Sequence, residues 1–255
     1  MTGFFLKKSF FDGWDNILTL GILNIGFVAL IVMFLGAPRL AGGSAPLSIV
    51  LLIACIFLFF FYAGGVSYYF SEYAMDRSRE LRELPGCIAR TWRISAVLAA
   101  ITSVQLLVLT VGFPFYLTMG GILGLSAVAI LFWVSIIWWL IAQWVFPVTA
   151  QLDTTVKQQL KKAAILFFDN TGFSVFLGIY TLFNFLISIP LAFLVPGFSG
   201  ILYSHQIALK LRIMKYDYLE EHEGAKSIPW DELLGEEDEK MGHRSVKGMI
   251  FPWKD

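Results

Sequence analysis

The fold is decided by one long stretch of the chain that carries no charge. Residues 94–117 read ISAVLAAITSVQLLVLTVGFPFYL, and residues 121–146, after the turn Thr118-Met119-Gly120, read GILGLSAVAILFWVSIIWWLIAQWVF. A helix needs about 20 apolar residues to cross the hydrocarbon core of a bilayer. Both halves meet that length, and Gly120-Gly121 is typical of a tight turn. The stretch therefore predicts two membrane-spanning helices that form a hairpin.

The rest of the composition agrees with a membrane protein. Of the 255 residues, 57% are hydrophobic and 15% are charged, whereas soluble domains have about 45–50% apolar and about 25% charged residues. Residues 40–71 and 170–209 also lack Asp, Glu, Lys and Arg. This excludes a soluble enzyme. The equal numbers of basic and acidic residues, 19 each, argue against a nucleic-acid partner, and two cysteines, Cys55 and Cys87, cannot frame a disulfide-rich domain.

The apolar segments predict an all-α, polytopic membrane domain over residues 17–215. Its last apolar block is interrupted by Pro190, Pro196 and Gly197, and interior proline breaks a helix. The block is therefore two spans, or one span followed by a surface helix, which gives six spans in total with five as the alternative. The predicted spans are residues 17–35, 47–70, 94–117, 121–146, 173–195 and 198–213.

The distribution of Lys and Arg predicts the orientation. Short loops rich in these residues stay in the cytoplasm. The second loop, residues 71–93, holds five arginines, and the connection of residues 147–172 holds three lysines, whereas the Gly120-Gly121 hairpin holds none. With six spans, both termini are cytoplasmic. We therefore expect a multi-pass protein of the cell inner (cytoplasmic) membrane.

Two connections have the pattern of interfacial amphipathic helices. In residues 1–16, leading into Ile17, large apolar residues recur at helical spacing away from Lys7 and Lys8, and residues 151–169 repeat this pattern. The similar motifs Phe10-Phe11-Asp12 and Phe167-Phe168-Asp169 each precede a predicted span. This similarity suggests a degenerate internal repeat of the kind found in transporters. The apolar stripes are Leu6, Phe10, Trp14 and Ile17, and Leu152, Val156, Leu160, Ala164 and Phe167.

Three segments resemble the YesL-like family of bacterial integral membrane proteins. They are Trp14-Asp15-Asn16-Ile17-Leu18-Thr19-Leu20 with Leu23-Asn24, the Leu160-Lys161-Lys162 helix, and Leu194-Val195-Pro196-Gly197 followed by a short polar-apolar helix. That family has no established activity. Its association with bacterial carbohydrate-uptake loci implies an accessory role in uptake, and no catalytic or binding residue follows from the resemblance.

Uncharged polar residues within the spans are the candidates for a solute path. The secure spans contain no Asp, Glu, Lys, Arg or His, and His205, in the ambiguous last helix, is the one candidate of this kind. Such residues also hold membrane helices together, and that alternative stays open. The principal candidates are Asn24, Gln105, Asn184 and His205, and others are Thr102, Ser103, Thr110, Ser126, Ser135, Gln143 and Ser188, with Trp133, Trp138, Trp139 and Trp144 as aromatic partners.

The final segment, residues 216–255, predicts an acidic cytoplasmic tail. Residues 217–255 hold eleven acidic and five basic residues, too little apolar surface to fold alone. Two short motifs in the tail nevertheless combine an aromatic residue with proline. Aromatic side chains contribute much of the binding energy at protein interfaces. We therefore expect the tail to dock on a protein partner or another subunit, or to fold back onto this chain or the lipid headgroups. The candidate docking residues are Pro229, Trp230, Phe251, Pro252 and Trp253.

These features predict a non-enzymatic function. The chain contains no H-E-x-x-H, G-x-S-x-G or P-loop motif, and we expect no catalytic residue, metal or cofactor. The first prediction is an accessory or assembly component of a bacterial membrane complex, linked to carbohydrate uptake. The alternative is a transporter or channel for a neutral small solute. The expected partners are the lipid bilayer and a protein bound through the tail, and no nucleic acid.

Overall fold

The computed structural model describes residues 1–152, 154–222, 227–242 and 244, and this part of the chain contains helices and no strand. A 3₁₀ turn at Leu81–Glu83 precedes the fourth helix, and a π-helical turn at Val108–Gly112 joins the fourth helix to the fifth. The helices are α1 (Thr2–Asp15), α2 (Ile17–Leu40), α3 (Ala45–Ala74), α4 (Leu84–Leu107), α5 (Phe113–Met119), α6 (Gly121–Gln151), α7 (Val156–Asp169), α8 (Thr171–Ser188), α9 (Gly197–Glu221), α10 (Trp230–Leu233) and α11 (Gly235–Met241).

Five of these stretches are long and apolar enough to cross a membrane: α2, α3, the continuous α4–α5 rod, α6 and α8. This confirms the all-α, multi-pass class. The predicted hairpin also forms, because Gly120 and Gly121 both adopt a φ of +65°, where a residue without a Cβ is at no disadvantage. The sixth predicted span, residues 198–213, is helical within α9, but α9 is too polar to be counted with the other five.

The fifth predicted span, residues 173–195, is longer than the helix that forms there. Helix α8 ends at Ser188, and residues 189–196 are turns before α9 begins. Pro190 and Pro196 lack the N–H that a continuous helix needs. Ala192 and Phe193 have φ values of 51° and 59°, a left-handed conformation that L-residues rarely adopt. The apolar block is therefore a helical hairpin with a tight, irregular break.

The break lies about midway along the longer helices. The ring of Phe198, at the start of α9, is 5.2 Å from the rings of both Phe27 in α2 and Phe59 in α3. At 1.5 Å per residue, α2 continues about 20 Å beyond Phe27 and α3 extends about 20 Å beyond Phe59 in the same direction. The α8–α9 hairpin thus covers only the half of the bundle that is nearer the tail.

Helix α9 occupies the centre of that half, where it packs against α1, α2, α3, α6 and α8. Four polar residues in its first half, Ser199, Ser204, His205 and Gln206, are buried by this packing. A lipid-facing helix of this composition would leave polar groups unsatisfied in hydrocarbon. Its polarity, which makes the sequence ambiguous, is accommodated because protein surrounds it.

Helices α1 and α7 resemble each other in a register that differs from that of the predicted repeat. Helices α1 and α7 each have 14 residues, each ends before one non-helical asparagine, and each leads directly into an apolar helix. Aligning the asparagines, Asn16 and Asn170, shifts the predicted alignment by three residues. In this register Leu6-Lys7-Lys8 matches Leu160-Lys161-Lys162, and Asp15-Asn16 matches Asp169-Asn170.

The predicted apolar stripe of α1 is exposed, as an interfacial helix requires, but Lys8 is buried rather than solvated. Its Nζ atom lies 3.1 Å from Asp12 and 3.0 Å from Glu237 of the tail. Burial alone would lower the pKa of Lys8, but these two carboxylates outweigh burial and raise it. Lys8 is therefore a charged member of a buried ionic cluster.

The described tail folds onto this chain. Leu234 and Met241 are buried, and Lys210 of α9 donates a hydrogen bond of 2.9 Å to Glu237. Burial alone would raise the pKa of Glu237, but that hydrogen bond and the charges of Lys210 and Lys8 lower it to about 2. The acidic tail thus gains from the bundle the stabilisation that its own composition cannot supply.

Candidate functional site

A cavity of about 470 Å³, hereafter the central cavity, lies where the α8–α9 hairpin meets α2, α3, α4 and α6. Its size is within the range of small-molecule sites, which are mostly apolar with a few converging polar groups. Seven of the eighteen residues that line it carry aromatic rings. They belong to Phe27, Phe59, Phe60, Trp138, Trp139, Phe146 and Phe198.

Four uncharged or neutral polar side chains reach the central cavity: Thr102, Gln105, Gln143 and His205. The residues that line it in the described chain include no Asp, Glu, Lys or Arg. An ion would therefore find no charge of opposite sign in the cavity. The wall is chemically suited to a neutral molecule that carries hydrogen-bonding groups.

Gln143 has a free acceptor in this wall. Its Nε2 atom donates a hydrogen bond of 2.8 Å to the carbonyl of Ser174, which fixes the amide, and its Oε1 atom is buried without a partner among the described residues. A buried acceptor left unsatisfied costs about 1–3 kcal/mol. A donor on a bound molecule would recover this free energy if the side chains around Oε1 moved aside.

Two polar side chains of α4 are also unengaged. Neither the hydroxyl of Thr102 nor the amide of Gln105 makes a hydrogen bond within the described chain, whereas Ser103 and Thr110 bond to backbone carbonyls of their own helix at 2.8 and 2.7 Å. Hydroxyls in membrane helices ordinarily bond in that way. Thr102 and Gln105 therefore retain their full hydrogen-bonding capacity toward the central cavity.

His205 is held in place by a hydrogen bond to the neighbouring helix α8. Its Nε2 atom lies 2.8 Å from Thr181 Oγ1 of α8, and the residue is buried. This hydrogen bond holds the ring orientation and leaves Nδ1 as the other nitrogen available for bonding. His205 thus links α9 to α8 and also lines the central cavity.

A π-helical turn adjoins the central cavity. It spans Val108–Gly112, and Leu109 within it lines the wall one turn after Gln105. Pro114 follows at the start of α5 and has no N–H for the carbonyl of Thr110, so the α-helical ladder cannot pass through unchanged. Such turns occur frequently at functional sites. Here the turn places a local irregularity of α4–α5 against the cavity.

A buried polar network closes the cavity toward the tail. Gln151 donates to Gln206 Oε1 at 2.7 Å, and Gln206 donates to Ser67 Oγ at 2.8 Å. Ser67 lies four residues after Ala63, Gln151 lies five after Phe146, and Gln206 lies one after His205. Ala63, Phe146 and His205 all line the cavity. The network is therefore the layer directly beneath the cavity on the tail side.

The four principal predicted residues have different environments. Gln105 and His205 meet at the central cavity. Asn24 is fully buried and instead bonds to the α8–α9 break, with Nδ2 donating to the carbonyls of Leu194 and Pro196 and Oδ1 accepting from Ser199 N–H. Asn184 donates to the carbonyl of Tyr180 in its own helix and faces a different groove.

The predicted docking residues are divided by the limits of the described chain. Trp230 begins α10, and the guanidinium of Arg212 in α9 lies 5.7 Å from its ring centre. This contact is the one expected for a tail that docks on its own chain. Pro229 precedes it at the helix start, and Phe251, Pro252 and Trp253 lie outside the described residues. A protein partner for these residues stays a prediction.

Sequence reasoning gave no role to Ser67, Gln151, Thr181 or the ionic cluster. Ser67 and Gln151 stand near span ends, where polar residues are common, so only their contact across three helices sets them apart. No group of three or more His, Cys, Asp or Glu side chains among the described residues has the arrangement of a metal site. Comparison of the chain with protein-family models, with curated proteins and with solved structures gave no match.

Proposed function

We propose that this integral membrane protein binds a neutral, hydroxyl-bearing small solute in the central cavity and carries it across the bilayer. The observation that supports this most directly is the set of unengaged polar groups, on Thr102, Gln105 and Gln143, inside an aromatic wall without charges. Aromatic faces and neutral hydrogen-bonding groups together complement a molecule such as a sugar or a polyol.

The shape of the bundle supports transport over static binding. The α8–α9 hairpin ends midway, so the central cavity lies at its tip, and the Gln206–Gln151–Ser67 network separates the cavity from the tail face. Broken helices whose ends meet a central site are a recurring feature of transporters. We place the tail face in the cytoplasm of a bacterial cell, following the Lys and Arg distribution, and the cavity then faces outward.

The test is solute binding to the purified full-length chain in nanodiscs, followed by tryptophan fluorescence and by uptake into proteoliposomes. The resemblance to the YesL-like family makes glucose, ribose and glycerol the first probes. Thr102→Val and Gln143→Leu each remove one neutral hydrogen bond, so each should weaken binding about threefold to tenfold. Thr110→Val is the matched control, because its hydroxyl is bonded to Leu106 and does not line the cavity.

Two results would contradict the proposal. The first is saturable binding of a probe that Thr102→Val, Gln143→Leu and Thr110→Val affect equally, since the solute would then sit elsewhere. The second is the absence of binding for every neutral probe, at concentrations up to the molar range, by a protein that unfolds cooperatively.

An accessory role in a membrane complex is the second proposal. It is favoured by the α5–α6 hairpin, where α5 packs mainly on α6 and leaves large side chains such as Phe115 and Trp133 exposed. A partner helix would cover them. Purification from native membranes, full length and truncated after Lys226, tests this, because a stoichiometric companion would be seen directly. Its loss on truncation would assign the contact to the tail rather than to the hairpin.

A further inference from the structure

A second cavity of about 750 Å³, hereafter the lateral groove, lies against the face of α9 that carries Gly200, Tyr203 and Ser204, away from the central cavity. The arm formed by α1 and the start of α2 makes one wall, and α8 with the beginning of α9 makes the other. Leu191, Val195 and Pro196 of the break close its far end. The groove therefore runs from the tail face to the middle of the bundle.

The rim of the lateral groove is apolar and exposed. Phe10 and Trp14 of α1 and Phe183 of α8 line it, and each has at least 41% of its surface accessible. On a membrane-spanning bundle, such a rim faces acyl chains rather than water. We therefore expect lipid rather than water to fill this groove.

One polar group inside the groove has no partner. Ser9 lines the groove and is 7% exposed, and its hydroxyl makes no hydrogen bond within the described chain. An acyl chain alone cannot satisfy it. An ester or phosphate oxygen of a glycerolipid close to the level of Ser9 would supply such an acceptor.

The charged residues that line the groove in the described chain are both basic. Lys7 pairs with Asp238 at 2.8 Å and Arg244 pairs with Asp15 at 2.6 Å. All four side chains are substantially exposed, and exposed ion pairs contribute little stability, so a phosphate can compete for either cation. The groove thus complements an anionic headgroup.

We propose that the lateral groove binds one anionic phospholipid from the leaflet at the tail face. An acyl chain lies between α1 and α8, and the headgroup meets Ser9 and the two cations. The distance along α2 from Ile17, at the tail end of the groove, to Asn24, which bonds to the break, is about 10 Å at 1.5 Å per residue. It lies within the depth of about 15 Å of one leaflet's hydrocarbon. One leaflet's chain therefore spans the groove and ends at the break.

The experiment uses the full-length chain in nanodiscs that contain phosphatidylglycerol and phosphatidylcholine in equal amounts, with retained lipid counted by native mass spectrometry. Gly13→Phe blocks the groove, since Gly13 lines it and an added Cβ would meet only Leu20, at 3.8 Å. Gly21→Phe is the matched control on α2, where an added Cβ meets nothing within 4 Å and the groove is not involved.

We expect one phosphatidylglycerol to be retained by the wild type and by Gly21→Phe, and at least fivefold less by Gly13→Phe. The double variant Lys7→Ala with Arg244→Ala should keep a lipid but lose the preference for phosphatidylglycerol. Equal retention of the two lipids by the wild type overturns the charge assignment. Equal retention by Gly13→Phe and Gly21→Phe overturns the site, and the double variant still tests it if Gly13→Phe fails to fold.

Discussion

Replacing Asn24 with leucine should destabilise the protein far more than the same replacement of Asn184. Asn24 is fully buried and holds the α8–α9 break through three hydrogen bonds: to the carbonyls of Leu194 at 2.9 Å and Pro196 at 2.8 Å, and from Ser199 N–H at 2.9 Å. Leucine has the same number and branching of side-chain heavy atoms, so the change removes polar contacts without leaving a cavity.

The size of the effect follows from the groups left behind. Two carbonyls and one N–H lose a partner in an environment with no water to replace it. Each unsatisfied buried group costs about 1–3 kcal/mol, but the carbonyls keep other polar atoms nearby and the costs are not additive. We expect a loss of about 3 kcal/mol in the free energy of unfolding. For a chain of this size, that lowers the melting temperature by roughly 6–12 °C.

The assay is thermal unfolding in detergent, followed by tryptophan fluorescence, with hydrogen exchange at Ser199 as a local readout. Asn184→Leu is the control, because the described contact of its amide is one bond of 2.9 Å to the Tyr180 carbonyl within α8. That change should cost less than about 1 kcal/mol, since the carbonyl keeps its helical setting. Equal melting temperatures for the two variants, or an Asn24→Leu protein within 2 °C of wild type, would refute this role for Asn24.

Three further predictions concern packing and the tail. Gly65→Leu should prevent close approach of α3 and α4, since even a Cβ would lie 2.3 Å from the Ile88 side chain and 3.1 Å from its backbone nitrogen, whereas Gly21→Leu meets nothing; melting temperatures compare them. The low pKa of Glu237, about 2 against 4.5 in the unfolded chain, stabilises the docked tail above pH 4.5, and this stabilisation is lost as pH falls toward 2. Hydrogen exchange of α11 should rise in that window, and Glu237→Gln should remove the transition. Trp230→Ala should increase exchange in α10 and α11 but leave the bundle's melting temperature within 2 °C of wild type, and unchanged exchange would show that the Arg212 contact does not hold the tail.

The sequence predicts the apolar part of this fold well, because the bilayer requirement is local. Residues 17–35, 47–70 and 121–146 each fall within one observed helix, and residues 94–117 fall within α4–α5. The requirement of about 20 apolar residues can be read from one segment at a time. The π-helical turn cannot be predicted from apolar content, since that content is the same on both sides of Pro114.

The sequence predicts α8 and α9 less well, because their environment is set by distant residues. Pro190 and Pro196 mark a break, but a break within a span and the end of a span have the same local signal. The hydrogen bonds that Asn24 makes to the break distinguish the two cases. Because Asn24 is separated from Pro196 by 172 positions, the local sequence does not reveal this contact. Lys8 is similar: its partner Glu237 belongs to a tail whose composition predicts a solvated segment.

Asn24 and Asn184 show the same limit for the candidate site. Both are asparagines in apolar helices, so composition assigns them one role, while the structure gives one to a break and the other to its own helix. Gln105 and His205 were distinguishable as polar residues in spans, but their meeting at one cavity depends on how α4 and α9 cross. Polar residues in membrane helices therefore become informative only after their partners are known.

The contrast between satisfied and unsatisfied polar groups separates structure from function in this bundle. Asn24 is fully bonded within the protein, so its loss should lower stability. The hydroxyl of Thr102 makes no bond in the described chain and faces the central cavity, so Thr102→Val should leave the melting temperature unchanged or raise it while weakening solute binding. Evolved sites often sacrifice stability in this way. If Thr102→Val instead destabilised the empty protein as Asn24→Leu is expected to do, the hydroxyl of Thr102 would stabilise the fold. It would then no longer support solute binding in the central cavity.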